Sequence, residues 1–470
     1  MASTFGGINT ALTSLYAQRR GLDITGQNIA NASTEGYTRQ RISMQAQAGS
    51  MNPGVYSTTN AVGSGVTVTA VDRGRNQYLD ERGRTEHASS AYLTNQTAAY
   101  SSIENVLSEP SDTALQARLH DMWDAWNDVA NNWQDPSTRT ALIERSATVA
   151  TSLNDAHTSL SNQFDANLSG MATYVDHVNT LAGTIADMNQ QIVVAKASNL
   201  APNDLEDQRD NAIMQLSELA GASASAQPNG AVNVFIGNAP LVAEFTTRTI
   251  KLTGPTTLDA VTPTSKVALQ WTDTGGTAAA GGTMGAMLDT MNTLIPDIVG
   301  KLDGVAAKLA STVNTAHKAG YSADGTTGLD FFTGTTAQTI RVAVTDPAQV
   351  AFSSGNPVST NPAVAGTMNH DVADTLTDIG ASGAGPDQAY QAMIGQLGVA
   401  AQASGRRSDI QNSVTDQADT ARSAESGVNL DEEMTHLLTY QRGYEAASRV
   451  LTTVDSMLDQ LINRTGLVGR

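Results

Sequence analysis

Seven histidines and forty-six carboxylates, with no cysteine, are the titratable raw material of this chain, and their spacing organises little chemistry. Glu432 and His436 stand one helical turn apart, the separation at which two side chains share a metal ion. Two ligands do not close a site, and a solvated i,i+4 pair is the simpler reading. The other histidines, His87, His120, His157, His177, His317 and His370, are scattered. Asp324-Gly325 sits in a stretch that faintly resembles a calcium loop but lacks the alternating Asp/Asn ligands and the closing Glu, so it reads as a turn. The run Gly380 to Gly385 follows no predicted strand and reads as a flexible loop rather than a phosphate cradle. Trp123, Trp126 and Trp133 offer aromatic faces for a sugar, yet their near-helical spacing points to core or subunit contacts. There is no H-E-x-x-H, P-loop or nucleophile elbow. The sequence therefore predicts no catalytic residue, no metal and no cofactor, and a protein that works through surfaces, not as an enzyme.

Composition narrows those surfaces. A formal charge of −19 over 470 residues repels phosphate backbones and anionic lipid, so neither nucleic acid nor membrane is an expected partner. No stretch approaches the roughly 20 apolar residues of a membrane-spanning helix, and the start has neither a positive n-region nor an apolar h-region. The absence of cysteine rules out disulfides, thiolate metal sites and cysteine nucleophiles, and by itself says no more than that. With 40% hydrophobic but only 5% aromatic residues, packing must rely on small aliphatic side chains, which favours long helices.

Proline divides the chain, because inside a helix it removes a hydrogen bond and clashes with the preceding turn. None occurs before Pro53, between Pro136 and Pro202, or after Pro386. In the first stretch Ile8, Leu15, Leu22 and Ile29 recur every seven residues with Leu12 beside them. Gly21 and Gly26 weaken that helix by about 1 kcal/mol each, which predicts a segment poorly ordered alone and helical once docked. In the second, Phe164, Met171, Val178, Ile185 and Ile192 predict a helix of roughly 80 Å. Leu288 to Leu309 and segments near 86–130 and 387–404 are its candidate partners, with Pro296 kinking the first or marking its start. In the third, Asn429 is placed as an N-cap, with Asp431, Glu432 and Glu433 in the first turn. Leu437, Tyr444, Leu451 and Leu458 then alternate with Tyr440, Ala447, Val454 and Leu461 as a heptad seam, and Arg464 with Gly466 reads as its stop. Between the helices the period falls to two at Val232/Val234/Ile236, Ile250/Leu252, Val267/Leu269/Trp271 and Ile340/Val342/Val344.

The expected fold is mainly α and multi-domain with β-rich insertions: a terminal coiled coil plus an elongated helical-bundle rod. Its predicted parts are a coiled-coil domain from 1–37 and 427–470, and a rod from 38–222 with 284–329 and 366–426, including an extended segment at 38–80. A β-rich insertion is expected at 223–283 and a smaller one at 330–365.

The run Leu22-Asp23-Ile24-Thr25-Gly26-Gln27-Asn28-Ile29-Ala30-Asn31-Ala32-Ser33-Thr34-Glu35-Gly36-Tyr37 closely resembles the signature of the axial proteins of the bacterial flagellum, which form rod, hook and hook-associated zones. Tyr37-Thr38-Arg39-Gln40, Ser426 to Met434, and Tyr440-Gln441-Arg442-Gly443-Tyr444 narrow the resemblance to the hook-associated protein 1 family of hook–filament junction proteins. Pro202 to Asp210 is similar to a run in that family's helical domain, and Asn314, His317 and Gly320 with Gly328 to Phe332 are similar to another. The resemblance implies a structural subunit located outside the cell in the flagellum, exported by the flagellar type III apparatus without a cleaved signal peptide. Its implied partners are copies of itself, hook protein, hook-associated protein 3, and a cytoplasmic export chaperone on the C-terminal helix. Signature and stripes together mark Ile8, Leu12, Leu15, Leu22, Asn28, Ile29, Asn31, Gly36, Tyr37, Leu437, Tyr440, Tyr444, Ala447, Leu451, Val454, Leu458 and Leu461 as the expected assembly interface. A hook or distal-rod protein would share the first motif but be β-rich in the middle. An exported hydrolase would need a catalytic pair in the insertions, and none is visible.

Overall fold

The computed structural model describes residues 4–48, 63–356, 358, 366–380, 382–383 and 385–460. The chain opens with α1 (Thr4–Ala30), then an antiparallel hairpin of β1 (Gln40–Ala46) and β2 (Val66–Arg73) that is bulged between Ser43 and Met44. Helices α2 (Gln77–Leu107), α3 (Leu115–Asn131), α4 (Pro136–Ala197) and α5 (Asn203–Ala220) follow. The first strand group is the antiparallel set β3 (Ser223–Ala226), β4 (Val232–Ile236), β5 (Ala239–Ala243) and β6 (Thr246–Thr247), joined in that order. Beside it β7 (Ile250–Thr253) pairs with β8 (Ala268–Trp271). Then come α6 (Gly282–Asp289), a π-helical turn at Thr290–Leu294, α7 (Ile295–Ala319), and the two-residue strands β9 (Phe332–Thr333) and β10 (Arg341–Val342). α8 (Asp371–Gly380), α9 (Pro386–Ser426) and α10 (Leu430–Asp459) complete the chain.

The long helix starts and stops where local chemistry dictates. Asp135 caps α4 by accepting from Ser137 N–H, Pro136 occupies the first turn where its missing N–H costs nothing, and 62 residues make a rod of about 90 Å. Phe164, Met171, Val178, Ile185 and Ile192 all have no exposed surface, so the sevenfold stripe is the core-facing side. Packed against α4 are α3, with Leu119, Met122 and Trp126 beside its first part, and α7, with Ile298, Leu302, Val305 and Leu309. Pro296 falls in the first turn of α7, directly after the π-helical turn. The tryptophans are structural: Trp126 is fully buried against Phe331, and Trp123 Nε1 donates to Asp387 Oδ2 at 2.7 Å.

The α2–α9 pair is unusual in being polar over much of its length. Thr97 meets Ser404 at 2.8 Å, Ser90 donates to Asn412 at 2.7 Å, and Gln411 donates to Glu86 at 2.7 Å. His87 bridges Glu218 on α5 and Asp419 on α9, at 2.8 and 2.9 Å.

One device attaches the non-helical segments to the helices. The Asn189 carboxamide accepts from Val232 N–H at 3.0 Å and donates to the same residue's carbonyl at 2.8 Å. Asn179 does this to Ile250, Asn292 to Val267 and Asn314 to Phe332. A carboxamide carries the same donor and acceptor as a peptide unit, so each asparagine satisfies a buried strand edge from a helix.

Residues 330–365 depart from the β-rich expectation. Their described strand content is β9 and β10 alone, although Ile340 and Val344 do point inward. Helix side chains hold this segment in place: Asn154 donates to Ala337 O, Arg139 to Pro347 O, and His317 Nε2 accepts from Ala351 N–H. Period two tracks which side chains face inward, and here the helices supply the hydrogen bonds that a ladder otherwise would. The expected extended segment 38–80 is shorter too, since α2 begins at Gln77, capped by Asn76.

Candidate assembly interface

The two ends of the chain meet. α1 and α10 lie antiparallel, with Tyr440 over Gly21 and Gln18 over Gly443. A β-carbon added at either glycine would stand 2.7 Å from the opposing side chain. Gly21 therefore permits a close crossing, whereas a β-carbon at Gly26 meets nothing. On a neighbouring face Gly65, at φ +109°, brings the start of β2 against Thr13.

This geometry changes the reading of the N-terminal stripe. The buried face of α1 is Ala11, Ala17, Gly21, Ile24, Thr25 and Asn28. Ile8, Leu15, Leu22 and Ile29 are only half-buried, and Leu12 is exposed. At 100° per residue, 17, 21, 24 and 28 lie roughly opposite 8, 15 and 22, so α10 and the hairpin take the small-residue side. On α10, Ala447 is buried and Leu437, Tyr440, Leu451, Val454 and Leu458 are half-buried. Tyr444 departs from the expected seam and is exposed, together with Leu438, Val450 and Met457. A groove of about 720 Å³, lined by small residues such as Gly6, Gly7, Ala11 and Ala447, opens between the start of α1 and α10. Leu461, Arg464 and Gly466 lie outside the described residues.

Where the pair joins the body, a buried polar network takes over. Asn28, 1% exposed, donates from Nδ2 to Gln40 O at 2.9 Å and to Glu433 Oε2 at 3.1 Å. Its Oδ1 accepts from Gln40 N–H at 3.0 Å and from the Tyr37 hydroxyl at 2.9 Å. Arg39 binds Glu433 and Glu432 at 2.7 Å each, and its own N–H donates to Ser426 O at 2.9 Å. Burial pulls on the Arg39 charge, but the two glutamates outweigh it and raise its pKa. Tyr37 is pushed up to about 12, first by burial and then by Asp204, Asp207 and Glu433. Asn429 caps α10 by accepting from Asp431 and Glu432 N–H, as its position predicts.

The network continues into α5. Thr38 N–H donates to Asp207 Oδ2 at 3.0 Å, Asn203 Nδ2 to Gln40 Oε1 at 3.1 Å, and Arg73 binds Glu206, Asp207 and Asp210 at 2.7, 2.7 and 2.8 Å. Gly36, at φ +78°, lies against Asn211, while Asn31 bonds locally to Gln27 O and Thr34. Arg39, Gln40, Glu433 and Asp207 were absent from the expected interface. Runs of family-like sequence around each were visible, but nothing in them pairs a residue with its partner hundreds of positions away. Glu432 is engaged by Arg39, and His436 stacks on Tyr440 with ring centroids 6.1 Å apart, so the metal spacing is used otherwise.

Comparisons with known proteins follow the same three regions. Residues 100–332 match the flagellar hook-associated protein FlgK helical domain, 8–38 the flagella basal body rod protein family, and 422–464 the flagellar basal body rod FlgEFG protein C-terminal family. Flagellar hook-associated protein 1 of Bacillus subtilis (strain 168) is 30% identical over the full length of both chains. The chain belongs to the flagellar hook-associated protein 1 family. That of Escherichia coli (strain K12) is 24% identical over 97% of this chain and 99% of its own. The flagellar hook junction protein FlgK from Burkholderia pseudomallei shares the fold, with a TM-score of 0.60 and 15% identity over 74% of this chain and all of its own. As a hook-associated protein 1 family member, the chain is a structural component of the bacterial flagellum at the hook–filament junction. No helix among the described residues is long and apolar enough to cross a membrane.

Proposed function

We propose that this subunit assembles through the α1–α10 pair and bridges hook to filament by presenting different surfaces to its neighbours, without catalytic turnover. The observation that supports this most directly is the open apolar surface of α10. Leu438, Val450 and Met457 are each about half exposed, Val450 and Met457 on one side of the helix and Leu438 about 120° around it, while α1 packs on another side. Such a surface is an aggregation hazard until something covers it. Copies of the same chain cover it in the assembled ring, and the glycine-weakened α1 gains its final order there. Hook protein contacts the ring on one side and hook-associated protein 3 on the other. Before assembly, a cytoplasmic chaperone covers the C-terminal helix, and the flagellar type III apparatus exports the chain without cleaving a signal peptide.

The test separates folding from assembly. Leu438→Asp with Val450→Asp charges only exposed positions, so the purified monomer keeps its helicity while cells make hooks without attached filaments. Leu451→Asp with Leu458→Asp, or deletion of 430–470, disrupts the pair itself and has the same cellular outcome. Normal filaments from the Leu438/Val450 double variant would overturn the proposal.

A further inference from the structure

A second feature has nothing to do with apolar assembly. Between β2, α2, α5 and the β3–β4 strands lies a cavity of about 320 Å³ whose wall carries five cationic side chains and three carboxylates, in a chain whose overall charge is −19. Three of the cations are matched. Arg73 binds Glu206, Asp207 and Asp210; Arg75 binds Asp80 and Asp210; Lys196 binds Glu206 at 2.6 Å. The remaining two are matched less well. Arg84 makes no hydrogen bond and no ion pair among the described residues. Arg209 is 4% exposed and donates Nη1 to Asn189 and to Gly230 O, but its Nε has no hydrogen-bond partner and stands 4.0 Å from Asp210 Oδ1. Burial lowers the pKa of both guanidiniums and outweighs the nearby carboxylates, Asp80, Asp210 and Glu81 for Arg84 and Asp210 and Glu206 for Arg209, which raise it.

Arg84 lines the cavity with no ion pair of its own, and an anion compensates such a charge where a neutral water does not. A guanidinium offers a planar fork of N–H donors that matches the oxygens of a carboxylate or phosphate, and the volume lies at the lower end of the roughly 300–1,000 Å³ usual for ligand pockets, room for one small group. We infer that this cavity binds a single oxyanion, a phosphate, sulfate or carboxylate group, against Arg84 and Arg209. Its occupant joins the strand that leaves the terminal pair, the helices α2 and α5, and the insertion, and so braces the foot of the assembly domain.

The test uses the full-length chain and inorganic phosphate as the probe. Phosphorus NMR of low-millimolar phosphate reports saturable line broadening with the wild-type chain, and thermal unfolding shows a saturable rise in Tm that chloride at equal ionic strength does not reproduce. General salting-out stabilisation does not saturate and is common to every variant. Arg84→Met removes a side chain with no hydrogen bond of its own, so it keeps the far-ultraviolet circular dichroism of the wild type while losing at least tenfold in phosphate affinity. Arg84→Lys retains part of the binding and controls for any folding defect. Sedimentation distinguishes the sources of the oxyanion. A phosphate-reversible, Arg84-dependent self-association identifies a carboxylate of a second copy, and a monomer that binds phosphate identifies a free ion. Absence of saturable binding in the wild type together with no such association, or equal binding by Arg84→Met, overturns the inference.

Discussion

Removing Glu433 tests the junction at its most buried charge. Its side chain is 3% exposed, and it accepts from Arg39 Nε at 2.7 Å and from Asn28 Nδ2 at 3.1 Å. Glu433→Ala leaves the Arg39 guanidinium, 6% exposed, with only Glu432, whose side chain is 56% exposed. Breaking a buried pair from one side costs about 3–5 kcal/mol, because the abandoned charge stays out of water. Glu432→Ala removes a carboxylate already facing solvent, and exposed pairs contribute little because water and salt screen them. Each variant loses one contact to the same arginine, and Glu433→Ala loses the Asn28 bond as well, so the difference reports the buried side of the junction. A whole-chain Tm is a blunt readout for several domains. Native-state hydrogen exchange of α1 and α10 measures the local opening that matters. At about 1.4 kcal/mol per decade, Glu433→Ala speeds exchange there by at least a hundredfold, and Glu432→Ala by less than tenfold. Equal effects from the two variants would refute the reasoning.

Two histidines give pH dependences of opposite sign. His87 has its pKa raised, chiefly by its hydrogen bond to Glu218, so its contribution is complete below the unfolded value of about 6.5 and lost as pH rises through the folded value. His317 has its pKa lowered by burial, so its contribution is present above about 6.5 and lost as pH falls through the folded value. Unfolding measured against pH should lose its alkaline slope in His87→Gln and its acid slope in His317→Gln. Asn189→Leu strands Val232 N–H and O, Glu244 O and an Arg209 donor, and at about 1–3 kcal/mol per unsatisfied group it should free β4 to exchange while α4 stays protected. Gly21→Ala places a methyl 2.7 Å from the Tyr440 ring and should loosen α1 from α10 despite raising helix propensity, seen as faster exchange in both. Gly398→Ala meets empty space in the middle of α9 and should raise stability by about 0.5–1 kcal/mol by urea unfolding.

Much of the fold was legible because its determinants are local. Proline positions, Asn429 as a cap and the stripe from Phe164 to Ile192 act within a few residues, and each falls where such rules place it. The 330–365 segment was misread because alternation reports only which side chains face inward. Whether a ladder or a helix asparagine satisfies the backbone is decided elsewhere in the chain. Tyr444 shares a heptad with the buried Ala447 and is exposed, because a regular heptad marks both the face that packs within the chain and the face left for a neighbour.

By itself the sequence determined the helices, their caps and breaks, and the family signature at each end. Only the tertiary structure decided that α1 buries Ala17, Gly21, Ile24 and Asn28 rather than its leucine stripe. It also joined Asn28 to Glu433 across 405 positions, and left Arg84 lining a cavity with no ion pair among the described residues. Helix and turn preferences are properties of neighbouring residues, whereas the pairing of buried charges and the choice of face depend on which distant surface arrives to exclude water.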